Sequence, residues 1–363
     1  MNLVVDAHAD IAWNALTFGR DVSRSALITR QQERDTPIPA RNHGQALVGW
    51  PEWLLGRVAV VFASLFALPA HRAEGAWETL CYQDAQQAHR LLRQQVDFYH
   101  QLVDDHGDKF RLVHSQADLQ SVLSGWDGDS LKPRRVGLVL MMEGAEAVRH
   151  PDELAEWHAQ GVRILAPAWA ATRYAGGTGE PGPFTRLGWM LLEAMADLGM
   201  MLDLTHLDDA AVMEALDRYP GVLLASHSNP RALADSLHPN RHLTDEAIRL
   251  LAGRDGVMGI VPYNRFLTKG WDFPDGRAGI TLDTVVAHID HVCQIAGDAR
   301  HVGLGSDFDG GFGLESIPLG LDTVADLRLI GGVLQEHGYS PEEVDAVLGA
   351  NWLRLLHQGL PET

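Results

Sequence analysis

Short apolar stretches recur along the chain, each followed by a segment whose apolar residues return every three or four positions. This alternation predicts parallel strands covered by helices. Eight strands are predicted, over residues 2–8, 58–66, 136–144, 162–169, 200–206, 221–228, 256–263 and 301–307. Eight such units favour a closed, distorted TIM (β/α)8 barrel. An open doubly wound sheet is the alternative, but no Gly-rich phosphate loop follows the first strand.

Capping residues define several of the predicted helices. The segment 184–199 ends on Gly199, a natural helix C-cap. Asp208 and Thr244 precede two further helices, where a side-chain oxygen can cap the first turn. Two more helices are predicted after the last strand, so the barrel is expected to carry extra helices at its C-terminus.

Two connections between predicted strands are unusually long, residues 11–57 and 70–125. The first is punctuated by Pro and Gly, and the second is predicted to be mostly helical. No Gly/Ser-rich linker interrupts the chain, so residues 1–363 are predicted to form one domain.

Composition narrows the function. Apolar residues make up 46% of the chain, enough for a large core, and the net charge of −19 disfavours nucleic-acid binding. Cys81 and Cys293 are the only cysteines, which argues against a disulfide framework. No signal peptide or membrane-spanning stretch is recognised, so we expect a cytoplasmic protein that does not bind membranes.

Ligand-capable side chains lie at the ends of six of the eight predicted strands. They are His8 and Asp10, Glu143, His206, His227, Tyr263 and Asp307. In (β/α)8 barrels the active site gathers at this end. Imidazoles and carboxylates suit Zn²⁺ or a similar divalent ion, and a glutamate between two clusters can bridge two ions. Asp307, alone after the last strand, suits the role of proton acceptor.

The chain resembles the membrane dipeptidase family, also called renal dipeptidases, of amidohydrolase-like barrels. The resemblance rests on "DAHAD", "MMEG", "DLTH", "SHSNPRALAD", "IDHVCQIAG", "HVGLGSDFDG" and "GANWLRLL", which occur in this order over most of the chain. It implies a distorted barrel with two zinc ions. "DAHAD" alone would be weak, because many metal hydrolases begin this way.

The resemblance also implies roles for single residues. His8 and Asp10 would hold one ion, His206 and His227 the other, and Glu143 would bridge them. Asp307 would accept a proton from the attacking water and pass it to the leaving amine. Arg241 would bind the substrate carboxylate, for which a guanidinium fork is well suited, and Tyr263 corresponds to the family's tyrosine on strand seven.

One departure from the family pattern affects the substrate pocket. Trp169 stands where renal-type members have a histidine that steadies the oxyanion. An indole has a single N–H donor and no charge. Either Trp169 reshapes the pocket, or another donor such as Arg173 takes over, or the reaction differs.

These observations predict a zinc dipeptidase acting on dipeptides with a free C-terminal carboxylate, including D-residues at that position. One alternative keeps the metal chemistry but acts on N-acyl amino acids or other small amides or esters. Another is a barrel that binds metal and ligand without turnover. A homodimer is expected from the family alone.

Several other polar residues receive structural interpretations. Asp6 shares the alternating face of His8 and Asp10, and both Asp6 and Asp309 are interpreted as hydrogen-bonding behind the ligands. His288 and His291 lie three residues apart on a predicted helix and are interpreted as packing or surface groups.

Overall fold

The computed structural model describes residues 3–127, 133–234 and 237–363. Its centre is a closed barrel of eight parallel strands, as predicted. The strands are β1 (Val4–Ala9), β2 (Val58–Phe66), β3 (Val136–Glu143), β4 (Val162–Ala166), β5 (Met201–Asp203), β6 (Leu223–Ala225), β7 (Val257–Ile260) and β8 (Val302–Leu304). β1 pairs with both β2 and β8, which closes the ring.

The barrel is distorted at β3. The first half of this strand pairs with an additional strand, Phe110–Leu112, and the second half pairs with β4. β2 runs alongside β3 from Val60 to Phe66 without interruption. β3 therefore has neighbours on both sides along its whole length, and its last residue, Glu143, is held at the carboxyl end of the barrel.

Helices cover the barrel and fill both long connections. Their bounds are Ile11–Phe18, Ala26–Glu33, Ile38–Arg41, Trp50–Gly56, Ala85–Asp105, Gln116–Leu123, Leu154–Ala159, Arg186–Asp197, Asp209–Arg218, Asp245–Gly253, Asn264–Leu267, Leu282–Ala296, Ile330–Glu336, Pro341–Asp345 and Asn351–Gly359. The predicted caps are present: Asp208 accepts from the Ala210 amide and Thr244 from the Ala247 amide. Among the described residues, no helix is both long and apolar enough to cross a membrane.

Several strands are shorter than the apolar pattern predicted. β4 ends three residues before Trp169, β5 three before His206, β7 three before Tyr263 and β8 three before Asp307. These side chains lie in the loops that follow the strands. His206 and Asp307 have positive φ angles of 68° and 55°, which no extended strand allows. Residues 2 and 235, in the first predicted strand and the "SHSNPRALAD" motif, fall outside the described residues.

The core lies inside the barrel and between the barrel and its helices. Every residue of β1, β2 and β3 is buried, because barrel strands are covered on both faces. Charged or polar side chains in such strands are costly unless they have partners. His8 on β1 and Glu143 on β3 are therefore unusual residues for buried strands. Their side chains lie next to each other at the same site.

Candidate metal centre at the carboxyl end of the barrel

Glu143 lies between two groups of histidines. Its Oε2 is 3.4 Å from His8 Nε2. Its Oε1 is 3.1 Å from His206 Nε2 and 3.5 Å from His227 Nε2. The two oxygens of one carboxylate thus face different imidazoles, which is the geometry expected of a carboxylate that bridges two cations.

The first group is completed by two aspartates. His8 Nε2 lies 3.5 Å from Asp10 Oδ1 and 3.8 Å from Asp307 Oδ1. Each of these three residues offers one ligand atom, and the three atoms lie within 4.8 Å of one another. Ser64 donates a hydrogen bond to Asp10 and orients its carboxylate. All six residues that the sequence predicted for the cluster are brought together.

Hydrogen bonds determine the tautomer of His227. The Ser226 hydroxyl lies 2.5 Å from Asp203 Oδ2 and 2.8 Å from His227 Nδ1. A hydroxyl has one proton, and the carboxylate can only accept, so Ser226 donates to Asp203 and accepts from Nδ1–H. The Nε2 lone pair of His227 then points into the cluster, an arrangement typical of histidine ligands.

His206 is supported in a similar way by Thr178. The Thr178 hydroxyl is 2.9 Å from His206 Nδ1 and 3.4 Å from the His206 carbonyl oxygen, so it can donate to the carbonyl and accept from Nδ1–H. The Nε2 atoms of His206 and His227 lie 3.2 Å apart. Two such lone pairs facing each other and a carboxylate repel unless a cation lies between them.

The donor set therefore fits divalent metal ions. Among the described residues, neither ring nitrogen of His8 has a hydrogen-bond partner, although the side chain is fully buried. A buried polar atom without a partner is costly, and coordination would satisfy it. Imidazole and carboxylate ligands suit Zn²⁺ and similar ions.

The pKa values of the residues at the site also favour a bound cation. Burial raises the pKa of Glu143 to about 8 and that of Asp307 to about 7, and neighbouring carboxylates add to both shifts. Burial disfavours a charged His8, but the facing carboxylates outweigh it and raise its pKa to about 10. Burial holds the pKa of His206 and His227 well below the usual range. The raised pKa values of the carboxyl groups show that their negative charge is costly without a cation nearby, and a divalent ion would favour the charged form.

The loop after β8 is shaped around the carboxylates. A Cβ atom on Gly310 would lie 2.1 Å from Asp307 Oδ1 and 3.0 Å from Asp10 Oδ2. Asp307 and Asp309 both have positive φ angles, which are strained for residues other than glycine. Strain and close packing together aim the Asp307 carboxylate at the cluster.

Arg241 and Tyr263 lie in the wall of the cavity above this cluster. Arg241 is 5% exposed, donates from Nη1 to the His227 carbonyl oxygen at 2.9 Å and lies 5.0 Å from the Phe266 ring centroid. Tyr263 stacks on Phe312 with the ring centroids 4.2 Å apart. Both residues line a cavity of about 360 Å³ that also reaches Asp10, Glu143, His206, His227 and Asp307.

Trp169 lines the same cavity, and its ring centroid is 5.6 Å from that of His206. Arg173, considered as a replacement donor, is placed elsewhere, so that expectation is wrong. Its Nη2 lies 2.7 Å from Glu146 Oε1, and it lines a separate surface cavity with Tyr82. The ion pair with Glu146 holds the guanidinium away from the candidate metal centre.

The residues interpreted as structural lie outside the cluster. Asp6 accepts hydrogen bonds from the Ser306 amide and hydroxyl at 2.7 and 2.6 Å. Asp309 accepts from the Leu47 and Val48 amides and lies 3.4 Å from Arg20. His288 is buried, and His291 contacts Asp245 at the barrel exterior.

Sequence reasoning missed the supporting residues. Asp203 and Ser226 adjoin predicted ligands in "DLTH" and "SHS", and that adjacency is a signal that could have identified them. Thr178 comes from the hairpin formed by Ala175–Gly177 and Glu180–Phe184, far from any ligand motif, and no sequence signal indicated it.

Proteins with similar sequences include a dipeptidase. The chain is 32% identical to an uncharacterized protein in the pqqA 5' region of Klebsiella pneumoniae over 278 residues, which is 73% of this chain and 95% of that protein. It is 28% identical to dipeptidase verJ of Clonostachys rogersoniana over 309 residues, covering 83% and 73% of the two chains.

Solved structures share the fold. A metallo peptidase from Rhodobacter sphaeroides, liganded with a phosphinate mimic of the dipeptide L-Ala-D-Ala, superposes with a TM-score of 0.78 at 23% identity, covering 99% of this chain and 100% of that one. The model of the membrane dipeptidase family matches residues 2–359. Since the match spans nearly the whole chain, this protein belongs to the membrane dipeptidase family, peptidase family M19, whose members are metal-dependent hydrolases.

Proposed function

We propose that this family dipeptidase holds two zinc ions and hydrolyses dipeptides that have a free C-terminal carboxylate. One observation carries the proposal: the Nε2 atoms of His206 and His227 face one oxygen of Glu143, and His8 faces the other. A single carboxylate with histidines at both oxygens fits a pair of ions better than one ion.

Five of the six residues of the cluster would then serve as ligands. His8 and Asp10 would hold one ion, and His206 and His227 would hold the other. Glu143 would contribute one oxygen to each. Divalent ions bound in this way polarise a carbonyl group and lower the pKa of water.

Asp307 is proposed to move the proton. It lies at the edge of the first ligand group, with Oδ1 3.8 Å from His8 Nε2, and it faces the cavity. A carboxylate there accepts a proton from the attacking water and donates it to the amine that leaves when the peptide bond breaks. Close packing against Gly310 keeps the carboxylate in place during both transfers.

Arg241 is proposed to bind the substrate carboxylate. Its guanidinium is buried beside the cluster, and an arginine there can donate two parallel hydrogen bonds to a carboxylate. Tyr263 forms the neighbouring wall, rigidly stacked on Phe312. Trp169, whose ring lies 5.6 Å from that of His206, would contact the part of the substrate near that residue.

A second candidate substrate class is N-acyl amino acids. Trp169, Phe66 and Trp13 make part of the cavity wall apolar, which suits an acyl group as well as a side chain. The metal chemistry and the carboxylate contact would be unchanged.

The experiment is hydrolysis of a dipeptide panel by zinc-loaded protein, with L- and D-alanine at the C-terminal position, alongside chelated protein and N-acetyl amino acids. D-alanine is included because the Rhodobacter sphaeroides relative was solved with a mimic of L-Ala-D-Ala. We expect zinc-dependent cleavage of dipeptides and about two metals per chain. Cleavage of N-acyl amino acids alone would favour the second class, and no cleavage by metal-replete protein would contradict both.

Three expectations from the sequence stay predictions. They are the single domain, the cytoplasmic location and the homodimer. Cys81 and Cys293 are both free thiols, which is compatible with a reducing compartment.

A further inference from the structure

We propose that the acyl half of the substrate, whose carbonyl carbon is attacked, carries a bulky apolar group. This group would pack against an aromatic wall formed by Trp13, Phe66, Trp77 and Trp169. The inference rests on the proposed function, since it assumes that Arg241 binds the carboxylate at the other end of the substrate.

The aromatic wall belongs to one packed cluster, in which Trp77 and Trp169 pack against the buried Trp13 and Phe66. Trp169 and Phe66 have ring centroids 5.5 Å apart. Trp13 packs edge-on against Phe18 at 5.2 Å, and Phe18 stacks on Trp77 at 5.6 Å. The four wall residues line the cavity that contains the candidate ligands. Trp13 and Phe66 are only 6% and 8% exposed, so their positions are held by packing.

The wall lies across the barrel from the carboxylate contact. Trp13 follows β1, Phe66 ends β2 and Trp169 follows β4. Arg241 lies between β6 and β7, and its Nη1 bonds to the carbonyl of His227. In a closed ring of eight strands, β2 and β3 are opposite β6 and β7. A substrate bound by Arg241 therefore extends over the metal centre toward the aromatic wall.

The wall begins next to the reacting atoms. The Trp169 ring is 5.6 Å from the ring of His206, which is a candidate ligand. The substrate group that reaches Trp169 is therefore the one attached directly to the attacked carbonyl. In a dipeptide this is the side chain of the N-terminal residue, and in an N-acyl amino acid it is the acyl chain.

The apolar character of the aromatic wall favours apolar substrate groups over polar ones. Leu68, 7% exposed, adds a further apolar surface beside the rings. Burying a polar group there without a partner is unfavourable, whereas an aromatic or aliphatic group gains from leaving water. Small changes of apolar size in a pocket change kcat/KM by about 10- to 200-fold, so a large group should be preferred at least about tenfold over hydrogen.

The test compares two substrate series on the zinc-loaded protein. In the first, the N-terminal residue varies through Gly-Ala, Ala-Ala, Leu-Ala and Phe-Ala, and formyl-, acetyl- and phenylacetyl-alanine form an acyl arm. In the second, the C-terminal residue varies through Ala-Gly, Ala-Leu and Ala-Phe. We expect kcat/KM to rise at least about tenfold from Gly-Ala to Phe-Ala, and to rise less in the second series.

Variants localise the effect. Phe66→Ala and Trp169→Leu should flatten the first series, whatever their effect on the absolute rates, whereas the ratios of kcat/KM within the second series should stay as in the wild type. Trp189→Ala is the matched control, because Trp189 packs against Phe184 and Arg218 outside this cavity. Circular dichroism and metal content identify any variant that fails to fold, and Trp169→Phe then replaces Trp169→Leu as the milder change.

Binding separates this inference from the proposed function. Calorimetry on Asp307→Asn compares the affinity for Phe-Ala and Gly-Ala without turnover. A tenfold difference in affinity with no hydrolysis by the wild type would contradict the proposed function and support the wall. Equal affinities would overturn the wall in either case. If the wild type does hydrolyse dipeptides, a flat first series or a slope that survives both wall variants would also overturn it.

Discussion

Two buried histidines, His227 and His288, look alike by simple measures. Each is 1% exposed, and burial lowers the pKa of both. They differ in what their ring nitrogens face. Nδ1 and Nε2 of His288 contact the Asn229 amide and the Leu267 carbonyl oxygen. Nε2 of His227 instead faces another imidazole and a carboxylate.

A metal ligand is identified by the groups that its nitrogen atoms face. Burial and a low pKa are shared by a packing histidine and a metal-binding one. A nitrogen lone pair that faces another lone pair and a carboxylate is repelled by both. The arrangement becomes favourable when a cation lies between them.

The largest effect is expected from exchanging each histidine for glutamine. His227→Gln should abolish hydrolysis and lower the metal content by about one ion per chain, because an amide is a poorer ligand than an imidazole for zinc. His288→Gln should keep activity and metal. Metal analysis and kcat on both purified variants check this. Equal losses of activity and metal in the two variants would contradict the assignment of His227 as a ligand and His288 as a packing residue.

Asp307→Asn is expected to lower kcat by about 10²–10⁴-fold while metal content stays at the wild-type level. Asparagine has the same shape but cannot accept the proton from water. Activity and metal analysis on the same preparation test this. Activity near that of the wild type would rule out Asp307 as the base.

Arg241→Met should lower kcat/KM for dipeptides by about 10- to 100-fold, since a hydrogen bond to a charged group is worth about 1.5–3 kcal/mol. Dipeptide amides, which have no carboxylate, serve as control substrates and should lose much less. An equal loss for acids and amides would show that Arg241 acts on the protein rather than on the substrate.

Gly310→Ala should reduce kcat several-fold, because the new methyl group would meet Asp307 Oδ1. Gly332→Ala is the control, because a Cβ there meets no atom within 4 Å. Thermal melts confirm that both variants fold. Unchanged kcat in Gly310→Ala would mean that the loop can move aside without cost.

The last prediction concerns stability and its dependence on pH, with no effect expected on activity at neutral pH. Burial lowers the pKa of His288 to about 4, below the usual 6.5, so the unfolded chain binds this proton first as pH falls. Stability from this residue is full above pH 6.5 and declines toward pH 4, at up to about 1.4 kcal/mol per pH unit. Urea unfolding at several pH values should show a shallower decline for His288→Gln. If the stability of wild type and His288→Gln declined equally with falling pH, the lowered pKa of His288 would not be the cause of the decline.

Much of the fold could be predicted because its signals are local. Apolar runs and caps such as Asp208 and Thr244 depend on neighbours within a few residues, and the structure confirms the eight strands and these helix starts. Strand ends were predicted less well. Trp169 and Tyr263 continue apolar runs, yet both lie beyond their strands, because an apolar side chain packs equally well in a loop that covers the cavity.

The order of strands and helices, the family and the six residues that meet at the carboxyl end of the barrel could all be predicted from the sequence. These follow from periodicity and from short motifs, which are properties of consecutive residues. The partners of these residues depend on the tertiary structure: Thr178 lies behind His206, Glu146 holds Arg173 away, and the aromatic wall combines the end of β2 with three separate connections. Such contacts join residues far apart in the chain, and no local pattern encodes the distance between them.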